Sequence, residues 1–597
     1  MPAVAVPQKT FISTETGDPI DYFEIDIKPV ELQLYPGLNK TRLVGYNGQV
    51  PGPTFMMRQG REAIVRFVNH ADRANSVHLH GSYSRAPFDG WADDITEPGQ
   101  YKGKANIPTD YYYPNRQNAR TLWYHDHAVD HTAENAYYGQ AGFYILQDSQ
   151  EDALGLPAGK YDLPLSLAAK RYNSDGSLWD PEANNEQVSV FGDVIHVNGQ
   201  PWPYLEVEPR KYRLRFLNTG VSRSYQLYFE VDGALGQQIT FTMIGSDAGL
   251  LLNPVPTETL FISVAERWEA IFDFSAYAGK NVTLRNSRKV AADNDYNSTD
   301  QVMRFKVGNT VTDNSNNLPN GLPSELRDVP FPTPRDPIDH TFKFERQNGK
   351  WEINGIVWSD VNQRVLARPQ RGAIEKWELQ NGGGGWSHPI HIHLVDLQMT
   401  SRTGGRGELM PYEKVALKDV MWLDTSETVD VIARYAPWDG IYMFHCHNLI
   451  HEDHEMLAAF NVTALSDLNY NDTTRFIDPM EPRYRAKPFQ ESDFQGRTSD
   501  FSDSAIAEKV AFFTSLDAYA HVEDAEEALS KYWATHTGGP EATAVTGTTS
   551  LTVTSTTSKT STSSTSTSKS TTTTPSTLII TTSSKGNGGG KSSTTTT

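Results

Sequence analysis

The chain has 597 residues, a formal net charge of -20 and a pI near 5.3, a length well above the roughly 100 to 200 residues of one domain and an anionic field that disfavours nucleic acid and anionic membranes as partners. Its single cysteine, Cys446, excludes an intrachain disulfide. No apolar run of about 18 residues is present to span a membrane, and Met1 to Phe11 shows neither the basic nor the apolar region of a signal peptide.

Taken in chain order, long alternating segments bounded by Gly, Pro, Asn and Asp dominate, and helical periodicity is rare before residue 500, so the class is all-β. A weak internal repeat organises them: an Asn-Gly turn followed, across a Pro- or Gly-marked gap, by an alternating strand that ends in Asn. Its copies are Asn47-Gly48 with Ile64 to Asn69, Asn198-Gly199 with Tyr212 to Asn218, and Asn354-Gly355 with Ile374 to Asn381. A period of about 150 residues suits one β-sandwich domain per copy, which predicts three, over 20–150, 155–312 and 330–490. In the second copy Tyr212, Leu214 and Phe216 are expected on one face and Arg213 and Arg215 on the other, as in a half-buried strand.

Ile506, Val510, Phe513 and Leu516 fall at helical spacing and predict a short terminal helix, within a helical extension over 500–536, packed on the last sandwich. The tail over 543–597 is mostly Ser and Thr with scattered Lys; it buries too little apolar surface to fold, is expected to be disordered, and resembles an O-glycosylated stalk. N-glycosylation sequons begin at Asn39, Asn281, Asn297, Asn461 and Asn471. Together these features point to an extracellular or cell-wall glycoprotein, and the absence of an apolar terminal segment argues against a glycosylphosphatidylinositol anchor.

Chemistry-bearing residues gather in four clusters: His78-Leu79-His80, His125-Asp126-His127, His388 with His391 and His393, and His445-Cys446-His447 with His451 and Met456. One His-x-His pair is weak evidence, since it often marks two solvated side chains, but four such clusters, one holding the only cysteine, indicate metal binding. Side chains alternate along an extended strand, so His445 and His447 point to one side and Cys446 to the other. His391 and His393 likewise share a face, and the odd offset of His388 sends it to the opposite one, with Cys446. Two imidazoles, His388 and His451, with the Cys446 thiolate and the Met456 thioether make a blue-copper electron-transfer set. Zinc is the competing occupant, though it usually takes four strong ligands at short regular spacing, and Met456 has the alternative of filling the core.

The other side collects eight imidazoles, from His78, His80, His125, His127, His391, His393, His445 and His447, enough for three coppers. Reducing dioxygen to water takes four electrons, so a cluster beside a one-electron entry site is what that chemistry requires. These donors come from the first and third repeats and none from the second, which places the cluster at the interface of the first and third domains.

These residues lie in highly specific strings: SVHLHGSYSRAPFDGWADDITEPG, YYYPNRQNARTLWYHDHA, GDVIHVNGQPWP, GWSHPIHIHLVD and YMFHCHNLIHEDHEM. The chain resembles the three-domain multicopper oxidases from about Tyr22 to Gly496, and within them is most similar to fungal bilirubin oxidases. The resemblance implies cupredoxin-like sandwiches and four copper ions. It implies a type 1 copper on His388, Cys446, His451 and Met456, a type 2 copper on His78 and His391, and a type 3 pair on His80, His125, His127, His393, His445 and His447. It also makes Asp89 and Glu452 the acids that move protons to oxygen, for which the alternatives are a structural loop Asp and a ligand-orienting Glu. Trp386 resembles the tryptophan at the donor surface, with a core role as its alternative. The tail lies outside the resemblance, and the lack of disulfides favours the bilirubin-oxidase branch over the laccase branch.

The function expected is oxidation of bilirubin-like tetrapyrroles or phenols, a small-molecule donor, coupled to reduction of dioxygen by a monomer. A laccase-like pigment-precursor oxidase, an Fe(II) or Cu(I) metallo-oxidase and a non-catalytic copper carrier are the alternatives. The chain has 11 Met residues without the cluster that Cu(I) oxidases tend to carry, and a carrier would need only the Cys446 site.

Overall fold

The three Asn-Gly turns carry the repeat into three dimensions. In the computed structural model Asn47, Asn198 and Asn354 lie at φ 53°, 50° and 55°, and the glycines after them at 67°, 78° and 78°, the paired left-handed residues of a type I′ turn. Each asparagine side-chain oxygen accepts a backbone N–H from an earlier strand: Asp26 at 2.8 Å, Ser166 at 2.9 Å and Lys343 at 2.7 Å. The strand-ending asparagines repeat too. Asn69, Asn218 and Asn381 accept the N–H two residues on, from Ala71, Gly220 and Gly383, an Asx turn that stops the strand.

The structure describes residues 2–536 except 14–16, 103–109, 235, 289–295, 466–467, 469–475, 517 and 520; the tail over 543–597 and the Asn471 sequon lie outside the described residues. The repeat strands Glu62–Asn69, Lys211–Asn218 and Ile374–Asn381 each run parallel to an earlier strand, Pro19–Leu32, Asp162–Lys170 and His340–Gln347. Six sheets are seen among the described residues, and they share cores in consecutive pairs. Phe23, Ile25 and Val65 of the first sheet pack with Phe55, Leu122 and Tyr144 of the second. Leu165, Leu214 and Ala270 meet Leu227, Leu284 and Phe305, and Phe342, Trp377 and Val431 meet Ile390, Phe444 and Phe460. This is sheet-on-sheet packing with alternate residues turned inward.

Three details differ from expectation. Ala486–Pro488, inside the third predicted segment, pairs antiparallel with Gln100–Lys102 of the first sheet. Arg213 and Arg215 do not face solvent: both are buried, bonded to Glu269, and Arg215 also reaches Thr121. Their alternation is correct, but the outer face of that strand meets the first sandwich, so the guanidinium groups are matched by buried carboxylates.

The terminal helix is two helices, Asp503–Thr514 and Val522–Thr535. The first packs on the first sandwich, with the Phe513 ring 5.2 Å from Tyr112 and 5.9 Å from Phe88, and Lys509 Nζ 2.9 Å from Asp110. The second packs on the last, where Trp533 donates to the Arg371 carbonyl at 3.0 Å and Arg434 pairs with Glu526. The break lets one segment follow both surfaces. No helix among the described residues is long and apolar enough to cross a membrane.

Candidate metal centres

Two neighbouring strands build the first centre. His388–Ile392 runs antiparallel to Gly440–Cys446, with Ile390 opposite Cys446 and His391 opposite His445. Directly opposed residues share a face, so Cys446 lies on the Ile390 side together with His388, two residues along, while His445 and His391 lie on the other. Cys446 Sγ is 3.4 Å from His388 Nδ1 and 3.6 Å from His451 Nδ1, and those two nitrogens are 3.2 Å apart. His451 arrives on the short helix Leu449–Asp453 that follows the strand. Met456 is fully buried in the same core as Cys446, and its carbonyl accepts the Cys446 N–H at 3.2 Å. Burial pushes the Cys446 thiol well up and holds His388 down at about 3, so a thiolate here calls for a metal cation beside it.

His451 is enclosed by groups that spacing did not reveal. The Trp351 ring stacks on it at 3.6 Å and 23°, and the Asn448 side-chain nitrogen is 3.0 Å from its Nε2. Trp386 is half-buried and meets Trp351 edge-on at 6.0 Å. A small cleft lined by Ser189, Phe191, Trp386, Asn448 and His451 leads from the surface to this ring.

The second centre forms where that sheet meets the second one. Val77–His80 pairs with Arg120–Asp126 so that His78 faces His125. Across the gap, His78 Nε2 lies 3.4 Å from His391 Nε2, and His445 Nε2 lies 3.1 Å from His127 Nε2 and 3.3 Å from His393 Nε2. His80 Nδ1 is 3.4 Å from His125 Nε2. None of the eight is more than 1% exposed. Burial lowers His125 to about 3, His127 to about 4, and His78, His80, His391, His393 and His447 well below the ordinary range.

Neutral imidazoles offer lone pairs, and both ring nitrogens of buried His447 have no hydrogen-bond partner among the described residues. Such orphans are costly unless something ligates them. The donor set therefore fits copper: imidazoles at one centre, imidazoles with a thiolate at the other.

Carboxylates orient the rings from outside. Asp89 Oδ2 lies 2.8 Å from His393 Nδ1, and its carbonyl accepts from His78 Nδ1. Glu452 reaches His445 Nδ1 at 2.8 Å and His127 Nδ1 at 3.3 Å. Asp419 Oδ1 meets His80 Nε2 at 3.0 Å, and its carbonyl meets His391 Nδ1 at 2.8 Å. Such contacts aim the free nitrogen inward. Burial pushes the Asp89 carboxyl well up. Burial would raise Glu452 as well, but His445 and His127 outweigh it and hold that carboxylate down at about 2.

All fifteen residues singled out in the sequence thus surround the two centres or their approaches. Trp351, Asn448 and Asp419 were not foreseen. Asn448 adjoins the His-Cys-His string, which was a usable signal; Trp351 stands in an ordinary strand and Asp419 just before one.

Residues 30–151 and 331–466 each match the sequence family described as multicopper oxidase. The chain is 51% identical to a bilirubin oxidase of Albifimbria verrucaria, over 88% of this chain and 91% of that one. It is 33% identical to a laccase of Bacillus stratosphericus, over 74% and 94%. Among solved structures it is similar to a laccase from Pediococcus acidilactici, with a TM-score of 0.66 and 28% identity over 77% of this chain and 92% of that one. The McoA multicopper oxidase of Aquifex aeolicus gives a TM-score of 0.66 and 26% identity over 77% and 99%. The fold is accordingly cupredoxin-like, and the cofactor is four copper ions, one of type 1, one of type 2 and two of type 3. From its matched regions, its relatives and the two donor sets built by its own side chains, the chain belongs to the multicopper oxidases, oxygen-reducing enzymes fed with electrons by a small-molecule donor.

Proposed function

We propose that the donor is a bilirubin-like tetrapyrrole or a phenol, oxidised one electron at a time at the Cys446 centre, with water formed from dioxygen at the histidine cluster. The observation that carries this is the placement of Cys446: its sulfur faces His388 and His451, while its chain neighbours His445 and His447 enter the other centre. A covalent path of one residue on either side joins the two sets of donors. The relative named bilirubin oxidase supports the donor class.

In this reading His388, Cys446, His451 and Met456 hold the type 1 copper, His78 and His391 the type 2, and His80, His125, His127, His393, His445 and His447 the type 3 pair. Bound copper supplies reversible one-electron transfer at the first centre and dioxygen reduction at the second. The rest falls to the chain. Trp386, half-buried beside the small cleft, meets the donor at the surface, and Asn448 holds the His451 ring at the inner end of that cleft. Asp89, whose Oδ1 has no hydrogen-bond partner among the described residues, holds a proton beside His393 and His78. Glu452 aligns His445 and His127 and accepts protons on their way inward. The buried walls exclude bulk water, so both protons for each water must travel along such groups.

The same proposal takes 20–150, 155–312 and 330–490 as the three sandwich domains, a monomer as the working form, and an extracellular or cell-wall location. Asn39, Asn281 and Asn297 of the sequons are exposed, so a glycosidase-sensitive mass shift of the native protein checks the location. Copper quantitation with an absorption spectrum, followed by oxygen uptake on bilirubin and on a simple phenol, tests the function. Four coppers per chain, a thiolate-to-copper band and uptake without peroxide release are expected. Faster oxidation of Fe(II) than of either organic donor would replace this reading by a metallo-oxidase, and a single bound copper would leave only a carrier.

A further inference from the structure

The segment 155–312 holds none of the twelve proposed copper donors, yet one of its side chains reaches the wall of the histidine cluster. Arg267 opens the strand Arg267–Asp273 and is fully buried. Its Nη1 donates to Asp419 Oδ1 at 2.6 Å and its Nη2 bonds Asp419 Oδ2, a paired contact of guanidinium with carboxylate. Its Nε donates to the Thr121 carbonyl at 3.0 Å. The Asp419 backbone is held from the same segment. Asp247 accepts the N–H groups of Asp419 and Val420, each at 3.2 Å, along with Lys418 Nζ at 2.8 Å and the Arg267 N–H at 2.7 Å.

Asp419 has little freedom left, and two of its acceptors also face the cluster: Oδ1, besides taking Arg267 Nη1, meets His80 Nε2, and the carbonyl, besides taking the Ile392 N–H, meets His391 Nδ1. The two rings stack at 3.6 Å and 17°. With Nε2 engaged by Asp419, His80 turns Nδ1 toward His125, whereas His78, His127, His391, His393 and His445 present Nε2 to their neighbours in the cluster. A carboxylate fixed on one side of an imidazole decides which nitrogen carries the proton and which is free to ligate.

We infer that Arg267 and Asp419 are positioning residues for the copper cluster, through which the middle sandwich sets the donor atom of His80 and the orientation of His391. This rests on the ligand assignment above. Asp419 acts by holding the two rings, and Arg267 acts through Asp419. The middle segment is then part of the oxygen-reducing machinery.

The test uses the full-length holoenzyme and the variants Asp419→Asn, Arg267→Gln, Arg267→Lys and Asp419→Asn with Arg267→Gln. Five readouts are taken: copper per chain, the thiolate-to-copper band, the type 2 paramagnetic resonance signal, copper retained against a chelator, and the melting temperature. Asp419→Asn and Arg267→Gln should each keep the thiolate-to-copper band, while the melting temperature falls because a buried ion pair is broken. Each should lose cluster copper with affinity reduced about tenfold or more and show an altered type 2 signal. The double variant should be no worse than either single one, because the pair acts as a unit. Arg267→Lys keeps the charge and loses the paired geometry, and should fall between.

Four coppers with an unchanged type 2 signal and unchanged chelator resistance in both single variants would overturn the inference. So would loss of the blue band in parallel with the cluster copper, which marks a merely structural pair. Should Asp419→Asn fail to fold, Arg267→Lys decides by the same readouts. A wild-type chain holding fewer than four coppers would instead refute the ligand assignment, before any variant is made.

Discussion

His388 Nδ1 stands 3.4 Å from Cys446 Sγ although the two are not opposed in the strand register: Ile390 is the residue facing Cys446, and His388 reaches the sulfur diagonally, two residues along. The same register puts His391 against His445 on the reverse face. One pair of strands therefore serves two donor sets, separated only by the thickness of a backbone.

Cys446→Ser keeps the volume and removes the sulfur. It should abolish the thiolate-to-copper band, lower copper by one per chain and stop donor-driven oxygen uptake. Absorption, metal analysis and an oxygen electrode check this, and survival of colour and turnover together would refute the reading of both centres.

Trp351 stacks on His451 and donates to the Gln187 carbonyl at 2.9 Å. Trp351→Phe retains a ring but loses that hydrogen bond, a cost of about 1 kcal/mol. The melting temperature should fall by a few degrees, the thiolate-to-copper band should shift, and the copper content should stay at the wild-type value. An unshifted band would show that the stack does not shape the Cys446 centre.

Gly81 follows His80 at φ 86°, and a Cβ there would sit 2.8 Å from both Arg267 Nη2 and Asp419 Oδ2. Gly81→Ala combines left-handed backbone strain with this clash and should cost about 1–3 kcal/mol. Denaturant unfolding measures it; a midpoint equal to wild type would mean that the contact has room to give.

His70 ties the end of the strand Glu62–Asn69 to the terminal region, meeting Asp26 through Nδ1 and Glu491 at 3.0 Å through Nε2. Burial lowers the His70 pKa, but the Asp26 and Glu491 carboxylates outweigh it and leave the pKa raised. Burial raises Asp26, which the His70 and Lys28 contacts outweigh, leaving it lowered. The His70 contribution to stability is complete below its ordinary value of 6.5 and is lost as pH rises through the raised one. The Asp26 contribution is complete above 3.8 and is lost as pH falls through its lowered value. Thermal unfolding across pH should show this window in the wild type and its alkaline side missing in His70→Gln; identical profiles would exclude the pair.

The strand pattern and the division of the histidines between the two faces beside Cys446 were legible because β-structure writes its geometry at a period of two. His445, Cys446 and His447 alternate faces in any extended strand, and the odd offset of His388 follows from the same rule. The Asn-Gly turns were readable for a similar reason, since two consecutive left-handed residues need Asn and Gly in whatever fold surrounds them. Arg213 and Arg215 show where this stops: their face was assigned correctly, but whether it met water or a neighbouring sandwich depended on what packed against it.

Residue order alone thus determined the β class, the threefold repeat and the partition of imidazoles about one thiolate, because these depend on chain-local stereochemistry. Tertiary structure alone decided that Trp351 stacks on His451, that the terminal extension breaks to follow two sandwiches, and that Arg267 clamps Asp419 behind His80. Those contacts join residues tens to hundreds of positions apart, and close packing selects their partners by shape and buried charge, which no local period encodes.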